Sequence, residues 1–394
     1  MSKTEVVIAS AARTPIGSFQ GALSALPAPE LGAVAIREAV ARAGIGPEKV
    51  EAVFMGCVLA GGIGQAPARQ ATIKAGLPVS TGAITLNKVC GSGLQAVMFA
   101  RREILAGEAD VVVAGGMESM TNAPYLLPSA RAGYRMGNGT LVDSMIYDGL
   151  WDPYDNVHMG VCGDLVASKY GFTREDQDAF AKRSFERALQ AQKAGKFKAE
   201  IVPVSVPSKK GEPVVVEHDE GPGKAQLDKM SKLKPAFSKD GTVTAANASS
   251  INDGGAALVV TSADAAKRLG MPVLARIVGD ASAAVEPKWF TIAPVEALRR
   301  LYAKTGTKAG DWDLYEINEA FAVVTMAAIK DHGLDPEHVN VNGGAVSLGH
   351  PIGCSGARIL VTLLHALKDR GGRRGIASLC IGGGEAVALG VELL

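Results

Sequence analysis

A chain of 394 residues with 47% hydrophobic residues can bury a large core, as one α/β unit or as two or three domains, and this excludes a disordered chain. Lys plus Arg number 41 against 40 Asp plus Glu, so no basic field points to nucleic acid or an anionic membrane as partner, and any anion must be held locally. Five scattered cysteines (Cys57, Cys90, Cys162, Cys354, Cys380) with no CxxC argue against a disulfide scaffold or a zinc cluster and suit a reducing compartment.

In chain order, the opening MSKTEVVIAS runs straight into a strand-like Val6 to Ala11, without the charged, apolar and small-residue order of a signal peptide. No apolar run approaches the roughly 18 residues of a membrane span, so the expectation is a soluble cytoplasmic protein. A helix from about Glu30 to Ala43 closed by Gly44, a strand from Ala52 to Val58 and a strand from Val111 to Ala114 before Gly115-Gly116 follow. This alternation predicts an α/β fold with a mostly parallel, covered sheet. From about Tyr125 to Ser249 the chain is more polar, with a helix from Thr173 to Ala194 and a Lys-studded stretch from Ser208 to Lys239, which reads as an inserted lobe. Strands Ala256 to Thr261 and Val273 to Val278 resume the α/β pattern. The abundant Gly (47 residues) and sparse aromatics (5%) suggest tight turns and close backbone packing.

The outer thirds match one another. Asn87-Lys-Val-Cys90-Gly-Ser-Gly93 opens an apolar helix from Leu94 to Leu105, followed by a strand and a Gly pair; Gly349-His-Pro-Ile-Gly-Cys-Ser-Gly356 opens an apolar helix from Ala357 to Leu367, followed by the strand Ile376 to Cys380 and Gly382-Gly-Gly384. The shared order of turn, helix, strand and glycines suggests an internal duplication.

Several residues in these turns are candidates for chemistry. Cys90 precedes a buried helix, where the positive end of the peptide dipoles favours a thiolate; a small buried residue in a tight turn is the plainer alternative. Pro351 biases the backbone of His350 and fixes it beside the following helix. Of six histidines, His218, His332 and His338 have polar neighbours and read as surface, His365 reads as packed in its helix, and His350 and His158 stand out. Cys380 ends a strand beside the bare N–H groups from Gly382 onward, which suit a developing oxyanion. Asn318 lies at a strand-to-helix junction, where an N-cap is the ordinary role. No HExxH, GxxxxGK[ST] or acidic loop is present, so neither a metal nor a nicotinamide cofactor is expected.

Taken together, the segments around Cys90, His350 and Cys380, with Asn318-Glu-Ala-Phe321 as a fourth block, closely resemble the signature blocks of the thiolase family. The resemblance extends over the whole chain, through Ala12-Arg-Thr-Pro-Ile-Gly17 and Gly115-Gly-Met-Glu-Ser119. Asp155-Asn-Val-His158-Met159-Gly160 and Thr242-Val-Thr-Ala-Ala-Asn-Ala-Ser249 resemble its biosynthetic branch. The family implies duplicated βαβαβαββ halves in a layered α-β-α-β-α core. Here they would be residues 1–120 with 252–272 and residues 273–394, with 121–251 as a loop domain for CoA binding and oligomer contacts.

The same resemblance implies the reversible condensation of two acetyl-CoA into acetoacetyl-CoA and CoA, without any cofactor. Cys90 would carry the acetyl group, with His350 taking its proton. Cys380 would deprotonate the second acetyl-CoA. His350 and a water on Asn318 would hold the enolate oxygen, and the N–H groups of Cys90 and Gly382 the tetrahedral intermediate. Leu150, His158, Met159, Phe237, Ala245, Ser249, Phe290 and Phe321 are the implied contacts of the coenzyme and acyl group, with Met159 and Phe321 favouring a short one. Lysines between Lys209 and Lys239 are candidates for its phosphates. Homotetramers built as dimers of dimers are implied, with a contact in residues 120–140. The rival readings are a degradative 3-ketoacyl-CoA thiolase, a decarboxylating ketoacyl synthase, which has no second catalytic cysteine, and a non-catalytic acyl-CoA-binding module, which would carry a damaged site.

Overall fold

The computed structural model describes residues 4–208 and 211–394. Its main sheet consists of two halves with matching strand order. In the first, Val6–Arg13 lies beside Asn252–Ser262, then Val111–Ser119, Ala52–Gly56 and the edge strand Gly82–Leu86. In the second, Ala275–Ala284 is followed by Glu385–Leu393, Arg374–Ile381 and Leu314–Ile317, with a bridge from Tyr315 to Val339 standing where the first half has its edge strand. The halves meet through Val7 with Arg276 and Ile8 with Ala275. The helices correspond as well: Ala28–Arg42, Pro67–Lys74 and Ser92–Ala106 in the first half match Ala293–Thr305, Ala322–His332 and Ile352–Arg370 in the second.

These pairs define the five layers. Ser92–Ala106 and Ile352–Arg370 pack against each other and against strands of both halves, so they form the central layer, while Ala28–Arg42 covers the outer face of one sheet and Ala293–Thr305 that of the other. Each central helix is apolar on most sides because sheets enclose it. Glycine lets the two helices cross at close range: a Cβ on Gly93 would lie 2.7 Å from the Ala357 nitrogen, and one on Gly356 would lie 2.4 Å from the Leu94 nitrogen. Both glycines belong to the repeated Ser-Gly of the two halves.

The sheet departs from the mostly parallel arrangement that the alternation predicts. Among the described strands of the main sheet, parallel ladders are Ala52–Gly56 with its two neighbours and Leu314–Ile317 with Arg374–Ile381, extended by the single parallel bridge from Tyr315 to Val339. In each half the last strand returns antiparallel between the first strand and the helix-following one, after the insertion in one half and through a hairpin in the other. Gly115 and Gly116 also lie inside the strand Val111–Ser119 rather than ending it. A Cβ on Gly116 would come 2.1 Å from the Gly353 oxygen and one on Gly115 2.0 Å from the Ala256 oxygen, so Gly116 admits the turn that follows His350 and Gly115 lets the neighbouring strand approach, instead of breaking the strand.

Between Val111–Ser119 and Asn252–Ser262 the chain leaves the sheet and builds the helices Met159–Tyr170 and Arg174–Lys193 with short hairpins. Thr173 and Asp176 form a capping box on the second of these. Arg13, fully buried, holds this part to the first strand through Glu200 at 2.6 Å and Asp219 at 2.7 and 2.9 Å. Among the described residues, no helix is long and apolar enough to cross a membrane.

Candidate active site

The turn that presents Cys90 is built by its own side chains. Asn87 Oδ1 accepts the Val89 N–H at 3.0 Å, and Ser92 Oγ accepts the Lys88 N–H while donating to the Val89 carbonyl. Val89 is held at φ 45°, a costly conformation for a β-branched residue. From the other half, Lys88 pairs with Glu385 at 2.6 Å and Ile381 packs on Gly91, so the Cys90 turn and the Cys380–Gly384 turn are locked together.

Cys90 is buried, and burial pushes its thiol up to about 11, more than the N–H groups of Gly382 and Cys90 itself, which point to the sulfur, bring it down. This corrects the thiolate expected from helix-dipole reasoning. The helix begins at Ser92 with Gly91 as its cap, so Cys90 sits one residue before the cap, and desolvation of the charged form is the largest influence on its thiol. A neutral thiol needs a base.

His350 supplies one. Its backbone N–H donates to Asn252 Oδ1 at 2.9 Å, and its Nδ1 lies 2.6 Å from Ser355 Oγ. The Ser355 hydroxyl donates to the Pro351 carbonyl at 2.8 Å. Its oxygen therefore accepts from Nδ1–H, which leaves Nε2 unprotonated as the basic nitrogen. Burial, with a smaller contribution from Arg358, lowers the imidazole pKa to about 3. An unfolded histidine takes a proton below about pH 6.5, whereas this one stays neutral until about 3. Folding stability is thus present above that window and falls as pH drops through it, by up to about 1.4 kcal/mol per pH unit. Urea midpoints of the native protein are expected to fall more steeply from pH 7 to 5 than those of His350→Gln.

Cys380 is wholly buried and does not line the cavity; burial raises its thiol well above the ordinary range, and the nearby Cys90 sulfur adds to the rise. Asn318 is likewise buried behind the cavity, with Nδ2 3.5 Å from both ring nitrogens of His350. The N-cap reading of Asn318 does not hold, because the helix begins at Ala322 with Phe321 at the cap position.

A cavity of about 340 Å³ opens onto Cys90, His350 and Gly382, and all eight contacts expected for the coenzyme and acyl group line it: Leu150, His158, Met159, Phe237, Ala245, Ser249, Phe290 and Phe321. His158 stacks on Phe237 at 4.5 Å, while Phe321 meets the edges of Phe237 and Phe290. His158 Nδ1 accepts the Gly160 N–H, capping the helix Met159–Tyr170, and burial lowers its pKa, so it too is neutral at pH 7. Met159 packs against Gly382 beside the nucleophile. A larger groove of about 680 Å³ around Tyr170, Arg183 and Lys330 lies open on the surface and is lined by no cysteine or histidine.

Lys209 and Lys210 lie outside the described residues. Lys224 pairs with Glu220, and Lys229, Lys232, Lys234 and Lys239 are exposed and do not line the cavity. His332 is half-buried rather than on the surface, with Nε2 2.9 Å from the Val295 carbonyl.

Sequence reasoning missed Glu118. Its wholly buried carboxylate accepts the N–H groups of Val58, Leu59 and Gly353, joining the loop after Ala52–Gly56 to the turn after His350. Burial raises it to about 7. The motif Gly115-Gly-Met-Glu-Ser119 contained it, but only the fold shows what it binds.

A layered, duplicated fold with a cysteine and a histidine facing one cavity, and a second cysteine behind, defines an acyl-transfer type of site. The chain matches the family model described as thiolase, N-terminal domain, over residues 6–264 and that of thiolase, C-terminal domain, over residues 271–393, so it belongs to the thiolase family. It is 57% identical over 390 residues to the acetyl-CoA acetyltransferase of Cupriavidus necator, with 99% of each chain covered. It is also 54% identical over 386 residues to that of Pseudomonas aeruginosa (98% of each chain) and 54% identical over 392 residues to acetyl-CoA acetyltransferase 2 of Arabidopsis thaliana (99% of this chain, 97% of the relative).

Proposed function

We propose that this chain is an acetyl-CoA C-acetyltransferase, which reversibly condenses two acetyl-CoA into acetoacetyl-CoA and CoA through an acetyl group carried on Cys90. The observation that carries this reading is the single cavity onto which Cys90, His350 and Gly382 open and whose walls are the eight expected contacts. The relatives named above bear the same activity in their names.

The steps follow from the protonation states. Cys90 attacks the thioester carbonyl of the first acetyl-CoA while His350 Nε2 takes its proton. The oxyanion of the tetrahedral intermediate is held by the N–H groups of Cys90 and Gly382, each such donor lowering the barrier by about 3 kcal/mol. CoA departs as the thiol, its proton coming from Cys380. The thiolate left there removes a methyl proton from the second acetyl-CoA. The protonated His350 and a water held on Asn318 support the enolate oxygen, the carbanion attacks the acetyl group, and the released Cys90 sulfur regains its proton from His350. The cycle closes on side chains alone, so no cofactor is invoked.

Met159, which packs on Gly382, and Phe321, which lines the same cavity as Cys90, favour a short acyl group, which separates this reading from a degradative thiolase with a long acyl tunnel. Thiolysis of acetoacetyl-CoA is expected to exceed that of a long-chain 3-ketoacyl-CoA by at least about tenfold in kcat/KM, since even one misfitting methylene costs about that much. Met159→Ala should narrow the ratio, and faster cleavage of the long substrate by the native enzyme would overturn the assignment. We further infer a cytoplasmic homotetramer, with exposed Tyr125, Leu127 and Met136 as its contact and the exposed lysines up to Lys239 receiving the coenzyme phosphates.

A further inference from the structure

Arg358 is a cation enclosed in the central layer, 1% exposed, on the helix Ile352–Arg370. Its bonding is sparse for such a costly burial. Nη2 lies 3.5 Å from Asn318 Oδ1 and Nη1 lies 3.8 Å from Glu316 Oε2, while Nε and Nη1 make no hydrogen bond with any described residue, and neither does Oε1 of Glu316. Replacing a buried pair of this kind by apolar groups commonly costs little, so stability is a weak reason for it. Its position offers a better one. Ser355 and Arg358 stand three residues apart on the same helix face. Ser355 fixes the tautomer of His350, and Arg358 faces Asn318.

A guanidinium carries only donors, so the amide atom turned toward it must be the oxygen. Nδ2 is thereby directed at the ring of His350, which itself lines the cavity. The orientation matters for the water assigned to Asn318. A water that accepts from Nδ2–H has its own hydrogens free for an enolate oxygen, whereas one facing Oδ1 would give a hydrogen to the amide instead. We propose that Arg358 is a positioning residue that holds the Asn318 amide with its donor toward the cavity, as Ser355 holds the His350 ring. This rests on the reading of Asn318 as the enolate-side support.

The experiment compares two half-reactions in Arg358→Met, Arg358→Lys, Asn318→Ala and the double variant Asn318→Ala/Arg358→Met. Acetylation of Cys90 is followed by the burst of CoA release, and enolisation by deuterium entry into the methyl group of acetyl-CoA in D2O. Arg358→Met is expected to slow deuterium entry about 10- to 100-fold, approaching the loss of an oxyanion donor, with acetylation within about threefold of native. Arg358→Lys, still a donor without an acceptor, should recover at least about a tenth of native exchange. The double variant should be no slower than Asn318→Ala alone, because both remove one function. Equal losses in the two half-reactions, or native exchange in Arg358→Met, would overturn the proposal. If Asn318→Ala itself exchanges normally, the reading of Asn318 fails instead. Should Arg358→Met not fold, Arg358→Met/Glu316→Gln, which leaves no lone buried carboxylate, takes its place with the same expected outcomes.

Discussion

Replacing Cys380 with Ser is expected to slow acetoacetyl-CoA formation by about 10³-fold or more, the scale of losing an activated proton-transfer group, while Cys90 still takes up acetyl from acetyl-CoA. A serine hydroxyl is far less acidic than a thiol, so it neither protonates the departing CoA efficiently nor becomes a base. It does not disturb Cys90, whose turn is held by Asn87, Ser92 and Lys88. Acetyl transfer in Cys380→Ser should slow only modestly, since water entering with CoA also delivers a proton. Stopped-flow release of CoA against steady-state condensation measures the two separately. Similar losses in both would mean that Cys380 acts on the acetyl transfer itself.

His350→Ala is expected to lose both half-reactions, each by about 10²- to 10⁴-fold, the usual range for a general base. Among the described residues that line the cavity, the other imidazole is His158, whose unprotonated Nδ1 is already taken by the Gly160 N–H. With the Cys90 thiol held near 11, only a small fraction ionises unaided at pH 7. Raising the pH toward 10 should therefore restore part of the acetylation rate in His350→Ala, because hydroxide replaces the missing base, while the native rate changes little. A variant that keeps native acetylation at pH 7 would show that Cys90 is ionised without help and that burial does not govern its thiol.

The turns and their duplication were legible in the sequence because glycine, proline and the residue before a helix carry local conformational meaning. Cys90, His350 and Gly382 and all eight cavity residues come together as expected. Charge states were not legible. The Cys90 thiol is raised rather than lowered, since the enclosing sheets decide its solvation and belong to distant parts of the chain. Sheet direction failed for a related reason: the strand Asn252–Ser262 is separated from its neighbour Val111–Ser119 by the whole insertion, and local alternation says nothing about the sense in which it returns. Glu118, Ser355 and Arg358 were missed as partners because each acts on a backbone or side chain far away in sequence or around a helix turn.

An acetyl group carried on Cys90 is open to direct observation. Acid quenching after mixing with radiolabelled acetyl-CoA, followed by proteolysis and mass mapping, tests it most directly. One labelled peptide is expected, containing Cys90, its label absent in Cys90→Ser and present in Cys380→Ser. Label on the Cys380 peptide, or label that survives in Cys90→Ser, would contradict it.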